Sequence, residues 1–341
     1  MANTLIKFVE TEREIEYPPE HPENVERLTQ RGAIINWDRS LPNGPVVGVN
    51  FVSEGNFGDE DLELIRPLKG IKTLFLHGDN VTDDGMQVVS EFSELQLLLI
   101  QGCRVTDQGL MPLSKLPIES LTIVEMELTD DGMKPLGQMA QIEFLALVRC
   151  TSTESIFRFE PGFHKVTQLH LQGMKLGPNE LSSMKHLEKM TILTLQGMVL
   201  SEDHMKTLAH IPDLHSLYVD GCEVSEACLA GLSQIETLQS LGWWRIPMTD
   251  ASMRLISRST QLKHLSLMKC DVTDEGLAAL KGTPSLEGVF LTDTKVTDAG
   301  LADFQKSRPN VFVSSNSSEK DDEPEDVTER HGIEDFRGQD K

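Results

Sequence analysis

Apolar and polar residues follow one pattern that returns along most of the chain. Each unit begins with a strand-like run, in which two apolar residues stand on either side of one further residue. A polar turn and a helix-like run follow. The residues that mark the turns are Asp59, Asp83, Asp107, Asp130, Glu154, Pro178, Glu202, Glu226, Asp250, Asp274 and Asp298. Consecutive markers are separated by 24 residues, except for one spacing of 23. The sequence therefore predicts eleven stacked repeats.

The turn of each unit carries the residue types that begin helices. The residue before the marker is Thr, Ser or Gly in every unit, and these types cap helix N-termini. The marker is acidic in ten units, and an acidic side chain is stabilised by the positive end of the helix dipole. Apolar residues three and six positions later predict one buried helix face. The sequence therefore predicts strand–turn–helix units that bury their leucines between a sheet and a layer of helices.

The ends of the chain differ from the repeats. Residues 1–44 lack the pattern, but they predict a helix from Pro22 to Arg31 and a strand from Ala33 to Trp37. We expect this segment to cover the open edge of the solenoid, which spans 45–313. The acidic residues 314–341 predict a solvated, disordered tail, with an interaction tail as the alternative.

The fifth unit breaks the pattern. Pro161 and Gly162 interrupt its helix, and Glu160 takes an apolar position. The sequence predicts an irregular loop on the convex side here, which is either a tolerated defect or a docking site. After the last helix, Val311 to Val313 is predicted as a final strand.

The run from Leu262 to Leu277 shows the repeat most clearly. It reads Leu-x-x-Leu-x-Leu-x-x-Cys followed by x-Val-Thr-Asp-x-Gly-Leu. This pattern resembles the leucine-rich-repeat superfamily, and in particular the cysteine-containing repeats and their bacterial Thr-Asp-x-Gly-Leu relatives. The resemblance covers about residues 45–313 and implies an α/β horseshoe, with parallel strands on the concave face and helices on the convex face. It also implies a role in protein recognition. Cysteine-containing repeats are the substrate-reading arm of F-box ubiquitin-ligase receptors, although residues 1–44 do not resemble an F-box.

The charge and the cysteines narrow the classes of partner and compartment. A net charge of −23 argues against a nucleic-acid backbone or an anionic membrane as the partner. The sequence contains neither a run long enough to span a bilayer nor an N-terminal signal-peptide pattern. Five cysteines do not form an even disulfide framework. We therefore expect a cytoplasmic protein with reduced thiols.

The sequence offers no candidate for metal binding or catalysis. Cys103, Cys150, Cys222 and Cys270 occupy one column of the repeat, which other units fill with Met, so they are predicted to be small buried residues. Paired zinc ligands, a His-Glu-x-x-His helix, a phosphate-binding glycine loop and a Gly-x-Ser-x-Gly motif are all missing from the sequence. We expect no enzymatic activity, no metal and no cofactor.

The outward-facing strand positions point to a binding surface. About half of them are apolar, whereas a sheet face that merely meets water is mostly polar. They form an N-terminal patch of Phe75, His77, Leu97 and Leu99, and a C-terminal patch of Tyr218, Trp244, Met268 and Phe290, bordered by Asp220, Arg245, His264 and Lys269.

Aromatic residues and Arg are the usual anchors of protein interfaces. The predicted contacts are Tyr218, Asp220, Trp244, Arg245, His264, Met268, Phe290, Phe75, His77 and Leu99. The alternative is that these side chains only shield the sheet or pack on one another. We expect a monomeric, non-enzymatic scaffold for a protein or peptide, with a self-associating structural module as the other hypothesis.

Overall fold

One sheet runs the length of the structure. The computed structural model describes residues 21–40, 44–52, 55–152, 163–175, 180–232 and 234–316. Its thirteen-stranded sheet follows chain order, and every neighbouring pair is parallel except β1 and β2. The strands are β1 (Ile34–Trp37), β2 (Val46–Asn50), β3 (Thr73–His77), β4 (Leu97–Gln101), β5 (Ser120–Val124), β6 (Phe144–Val148), β7 (Gln168–Gln172), β8 (Ile192–Gln196), β9 (Ser216–Asp220), β10 (Ser240–Trp244), β11 (His264–Met268), β12 (Gly288–Thr292) and β13 (Phe312–Asn316).

Short helices connect the strands and pack on one another from unit to unit. The α-helices are α1 (Pro22–Gln30), α2 (Asp59–Ile65), α3 (Asp83–Val89), α4 (Asp107–Leu110), α5 (Asp130–Gly137), α6 (Glu202–Leu208), α7 (Glu226–Leu232), α8 (Asp250–Ile256), α9 (Asp274–Ala279) and α10 (Asp298–Ser307). Segments of 3₁₀-helix span Met111–Lys115, Glu180–His186 and Leu280–Gly282. Two-residue strand pairs in the turns join Glu127–Leu128 to Thr151–Ser152 and Val199–Leu200 to Glu223–Val224.

The register of the sheet stacks the inward side chains into continuous columns. Leu193 pairs with Leu217, and Leu195 pairs with Val219, one unit later. These side chains are buried in one core cluster between the strands and the helices. The predicted α/β horseshoe solenoid is confirmed, since parallel strands and helices alternate in separate layers.

The first edge of the sheet is covered by the segment before the repeats. Strand β1 pairs antiparallel with β2, and helix α1 buries Val25 and Leu28 completely. Arg31 forms an ion pair with the buried Asp61, and its guanidinium lies 5.2 Å from the centroid of the Phe57 ring. These contacts attach the N-terminal segment to the first repeat.

A hydrogen-bonded ladder joins consecutive turns. The side chain of Asp250 accepts from the backbone N–H of Thr273 at 2.9 Å and from its hydroxyl at 2.7 Å, although the two residues belong to successive units. The same pair of bonds joins Asp59 to Thr82, Asp83 to Thr106, Asp107 to Thr129 and Asp274 to Thr297. Burial opposes the charge of Asp250, but bonds from Thr273 and the N–H of Gly276 outweigh it and lower its pKa. The marker aspartates therefore hold one unit to the next.

The structure departs from the predicted elements at three places. Strand β13 extends to Asn316, so residues 314–316 belong to the sheet and not to the predicted tail. Helix α4 gives way to a 3₁₀ segment after Leu110, because Pro112 has no N–H to continue the α-helical ladder. The sixth unit forms a 3₁₀-helix where an α-helix is expected. The predictions for the fifth-unit loop and for the tail beyond Asn316 fall on residues outside the described ranges.

Candidate functional site on the concave face

An aromatic pair forms the centre of the C-terminal patch. The rings of Tyr218 and Trp244 are stacked, with centroids 5.5 Å apart and an interplanar angle of 29°. A Cβ atom at Gly242 would lie 2.6 Å from Tyr218 Cδ1 and 2.8 Å from Trp244 Cζ2, so only glycine leaves room for both rings. Trp244 Nε1 donates a hydrogen bond to Ser266 Oγ at 3.0 Å. The pair is therefore held in one arrangement, and both rings remain partly exposed.

Two phenylalanines extend the patch towards the end of the sheet. Phe290 is 42% exposed and Phe312 is 59% exposed, and their ring centroids are 5.5 Å apart. Phe312 was missed by the sequence analysis, because the outward-facing positions were not followed into the last strand. The observed register pairs Phe312 with Gly288 and Val313 with Val289, so Phe312 faces outward. Aligning Val313 with Val289 in the repeat would have found it.

A polar rim lies beside these rings, where each strand ends. Arg245 forms an ion pair with Asp220, which also accepts from Gln196 Nε2 at 3.3 Å. The carboxylate of Asp220 is largely buried, and Arg245 remains exposed. Asp220 is therefore a positioning group for Arg245, and Lys269 follows at the next strand end.

The rim residues occupy a turn with an unusual backbone. The residue after each of the strands β3 to β12 has a positive φ angle, at Gly78, Gly102, Glu125, Arg149, Gly173, Gly197, Gly221, Arg245, Lys269 and Asp293. Glycine adopts this conformation without strain, whereas Arg245 at φ 55° and Lys269 at φ 53° do not. The recurrence of Gly after the strand was the signal for this turn in the sequence, and the two basic residues interrupt it beside the aromatic patch.

The N-terminal patch is less accessible. Leu99 is only 3% exposed, although it faces outward and is not part of the core cluster. Burial lowers the pKa of His77, and a hydrogen bond with Gln101 opposes this shift. His77 and Phe75 are half-buried. Leu97 is half-buried as well, so this patch offers a partner little apolar surface beyond Phe75 and Leu97.

The middle of the concave face is also buried, contrary to the expectation that outward positions meet solvent. Val124, Ala146, Val148 and His170 are each at most 2% exposed. Adjacent strands are only about 4.8 Å apart, so large outward side chains cover the smaller ones next to them. Shielding of the sheet, the alternative considered from the sequence, therefore describes this region.

The predicted contact residues lie in two groups on separate parts of the sheet. Seven lie on or directly after the adjacent strands β9 to β12, namely Tyr218, Asp220, Trp244, Arg245, His264, Met268 and Phe290. Phe75, His77 and Leu99 lie on β3 and β4. Five strand spacings separate β4 from β9, which is about 24 Å along the sheet. Within the C-terminal group, Met268 and Asp220 are each 9% exposed and act mainly as support.

The thiols do not provide a reactive site. Burial raises the pKa of Cys103 to about 12 and the pKa values of Cys222 and Cys270 to about 11. Their sulfur atoms donate to backbone carbonyls, as Cys270 does to Trp243 at 3.4 Å. The prediction of a buried cysteine column is confirmed.

Neither a metal site nor a membrane span is found in the part of the chain that the structure describes. No group of three or more His, Cys, Asp or Glu residues there could hold a metal ion. No helix there has the length and apolarity needed to cross a bilayer. The arrangement on the concave face suits contact with another molecule through apolar rings and a few charges.

Comparisons with known proteins agree with the fold. A family model described as "Leucine Rich repeat" matches residues 258–281. A chain of the mouse RP105/MD-1 complex aligns with a TM-score of 0.51 and 14% identity, covering 73% of this chain and 47% of that chain. An internalin from Listeria monocytogenes str. 4b F2365 aligns with a TM-score of 0.49 and 16% identity, covering 88% of this chain and 94% of that one. The comparison with curated proteins found no match.

Proposed function

Since the chain is a leucine-rich-repeat protein, we propose that it is a non-enzymatic scaffold that binds a protein or peptide on its concave face. The binding site is the C-terminal patch. The observation that carries this proposal is the stacked Tyr218–Trp244 pair, which Gly242 accommodates and which continues into the exposed Phe290 and Phe312. A fixed apolar surface of this kind, bordered by Arg245, has the composition of an interface anchor.

A recognition role is also consistent with one of the similar structures. The chain that shares this fold at a TM-score of 0.51 comes from the crystal structure of the mouse RP105/MD-1 complex. The low identity limits the comparison to the fold, so the identity of the partner does not carry over. The buried, unpaired thiols support the further proposal that the protein works in a reducing compartment such as the cytoplasm.

The test removes the aromatic pair. Tyr218→Ala combined with Trp244→Ala should weaken capture of the partner at least about tenfold, because aromatic anchors dominate interface energies. The melting temperature should fall by no more than about 4 °C, since a stacked pair contributes about 1 kcal/mol. Affinity enrichment from the native host, followed by quantitative mass spectrometry, measures capture, and thermal unfolding measures stability.

The matched control is Met111→Ala combined with Val199→Ala, which removes two side chains that are 61% and 64% exposed elsewhere on the molecule. This control should capture the same proteins as the wild type. Equal capture by the Tyr218/Trp244 variant would show that the site is wrongly assigned. If the wild type enriches nothing above background and its mass doubles with concentration in light scattering, self-association replaces partner binding.

A further inference from the structure

The described chain ends beside the C-terminal patch. Strand β13 is the last strand of the sheet, and it ends at Asn316 next to β12, which carries Phe290. Phe312 on β13 packs against Phe290, and both remain exposed. Whatever follows Asn316 therefore begins at the edge of the most exposed apolar surface on the concave face.

The sequence that follows combines acidic and apolar residues. Residues 319–341 contain ten acidic and four basic side chains. Within them, Ile333-Glu334-Asp335-Phe336 places two apolar residues on either side of two carboxylates. A segment of this composition gains little from folding alone, but it can gain from a surface that has both exposed rings and a free positive charge.

Lys269 provides that charge. Its side chain is exposed on the turn after β11, between the strands that carry Trp244 and Phe290. Arg245 is already paired with Asp220, whereas Lys269 has no ion pair among the described residues. If an apolar residue of the segment packed on the exposed aromatic rings, a neighbouring carboxylate of the segment could therefore pair with Lys269.

The segment is long enough to reach the patch. Ile333 comes seventeen positions after Asn316, and a flexible linker of that length spans about 22 Å on average. Three strand spacings from β13 to β10 amount to about 14 Å. At the effective concentration of about 1 mM that such a linker provides, a Kd of about 100 μM for the separate peptide would dock the segment about nine-tenths of the time.

We propose that residues 331–337 bind the C-terminal patch of their own chain, with Ile333 and Phe336 against Phe290 and Phe312 and with Glu334 or Asp335 paired to Lys269. An external partner must then displace this segment, so the chain carries a competitor for its own binding site. The competition rests on the proposed function, whereas the docking does not.

Zero-length carbodiimide cross-linking of the full chain tests the docking directly. The cross-links from Glu334 or Asp335 to Lys269 should be at least about tenfold more abundant than those to Lys306, because docking raises the local concentration only at the patch. Lys306 is an exposed lysine on α10 and lies nearer the segment in sequence, so it reports undirected collisions. Equal yields at the two lysines would overturn the proposal.

Mixing ¹⁴N-labelled and ¹⁵N-labelled protein identifies the occupant. Cross-linked peptides with a single label place the segment on its own chain. Peptides that contain both labels would place it on a second copy, and this result would overturn the intramolecular proposal.

A competing peptide provides an independent measurement. A fluorescent peptide of residues 327–341 should bind the full-length Phe336→Ala chain at least about tenfold more tightly than the wild-type chain, whose patch is already occupied. Val327→Ala, in the same segment but outside the docking residues, should leave the peptide affinity at the wild-type value. Equal affinities for all three chains would overturn the proposal. Neither experiment uses the external partner, so their failure is distinct from a failure of the Tyr218/Trp244 test.

Discussion

At the scale of single residues, the glycine of the Thr-Asp-x-Gly turn is explained by the preceding unit. A Cβ atom at Gly85, Gly109, Gly132, Gly276 or Gly300 would overlap the marker aspartate one unit earlier. In two units whose earlier marker is not an aspartate, the position carries a capping side chain instead. His204, after Pro178, accepts from the N–H of Ser201 at 3.1 Å, and Ser252, after Glu226, contacts Thr249. In these five pairs of units the aspartate therefore requires a glycine in the next unit. The corresponding position after Asp130 is Ile156, which lies outside the described residues.

Gly276→Ala tests this requirement. The added Cβ would overlap Asp250 Oδ1 and disturb the two bonds from Asp250 to Thr273, so we expect a loss of about 1–3 kcal/mol in the free energy of unfolding. Urea denaturation measures it. Gly282→Ala is the matched control, because a Cβ there meets nothing within 4 Å. That variant should change stability by less than about 1 kcal/mol. Equal effects of the two substitutions would contradict the explanation.

This coupling could be predicted only in part. The pattern of Thr and Asp correctly indicated helix caps, as with the Thr273 hydroxyl that accepts from Glu275 N–H at 3.2 Å. It did not indicate that Asp250 reaches the following unit, because the distance between units depends on how they stack. The pairing of Asp with a glycine 26 residues later is nevertheless present in the sequence, as in Asp250 and Gly276.

At the scale of elements, the cysteine column illustrates how the turn after each strand is closed. Cys103, Cys222 and Cys270 donate to the carbonyl oxygen two residues earlier and to a second carbonyl 27 residues earlier. Each thiol therefore joins its own strand to the preceding one. Methionine fills the same position by packing alone, which explains why both types occur in this column.

The raised pKa values of these thiols make their reactivity predictable. At pH 8, a thiol of pKa about 11 is ionised several hundredfold less than an ordinary cysteine, so alkylation of Cys222 and Cys270 should be at least about a hundredfold slower than in the unfolded chain. Pulse labelling with iodoacetamide and residue-resolved mass spectrometry measures this rate. The urea-unfolded chain is the control. Native alkylation at the unfolded rate would show that these thiols are not held as described.

The elements were predicted correctly where the period of apolar residues determines them. They were predicted incorrectly where a single residue determines them. The strands follow from alternating leucines, as in Leu265 and Leu267. The shortening of α4 depends on one proline. Arg245 and Lys269 adopt a positive φ at the position where other units have a glycine. Because a period averages over units, it does not reveal such exceptions.

At the scale of the whole molecule, the concave face combines a shielded middle with an exposed aromatic end. The sequence predicted which side chains face outward, but not how much solvent each one meets. Exposure depends on neighbours in adjacent strands. Leu99 is covered, whereas Phe290 has the small residues Ser266 and Ser314 as its partners in the ladder. Phe290 is therefore exposed because the strands on either side of it carry small residues at the paired positions.

Removal of one complete unit tests whether the molecule is a stack of nearest-neighbour units. Deleting 250–273 joins Thr249 to Asp274, so the Thr-Asp turn is restored and β12 can pair with β10 in register. We expect cooperative urea unfolding to persist, with an m-value lower by about a tenth, because the surface exposed on unfolding falls with repeat number. The control deletion of 250–261 removes α8 but keeps β11, which leaves the core beneath it uncovered and should abolish cooperative unfolding. If both deletions abolish it, stability depends on contacts beyond adjacent units, and the solenoid behaves as one indivisible domain.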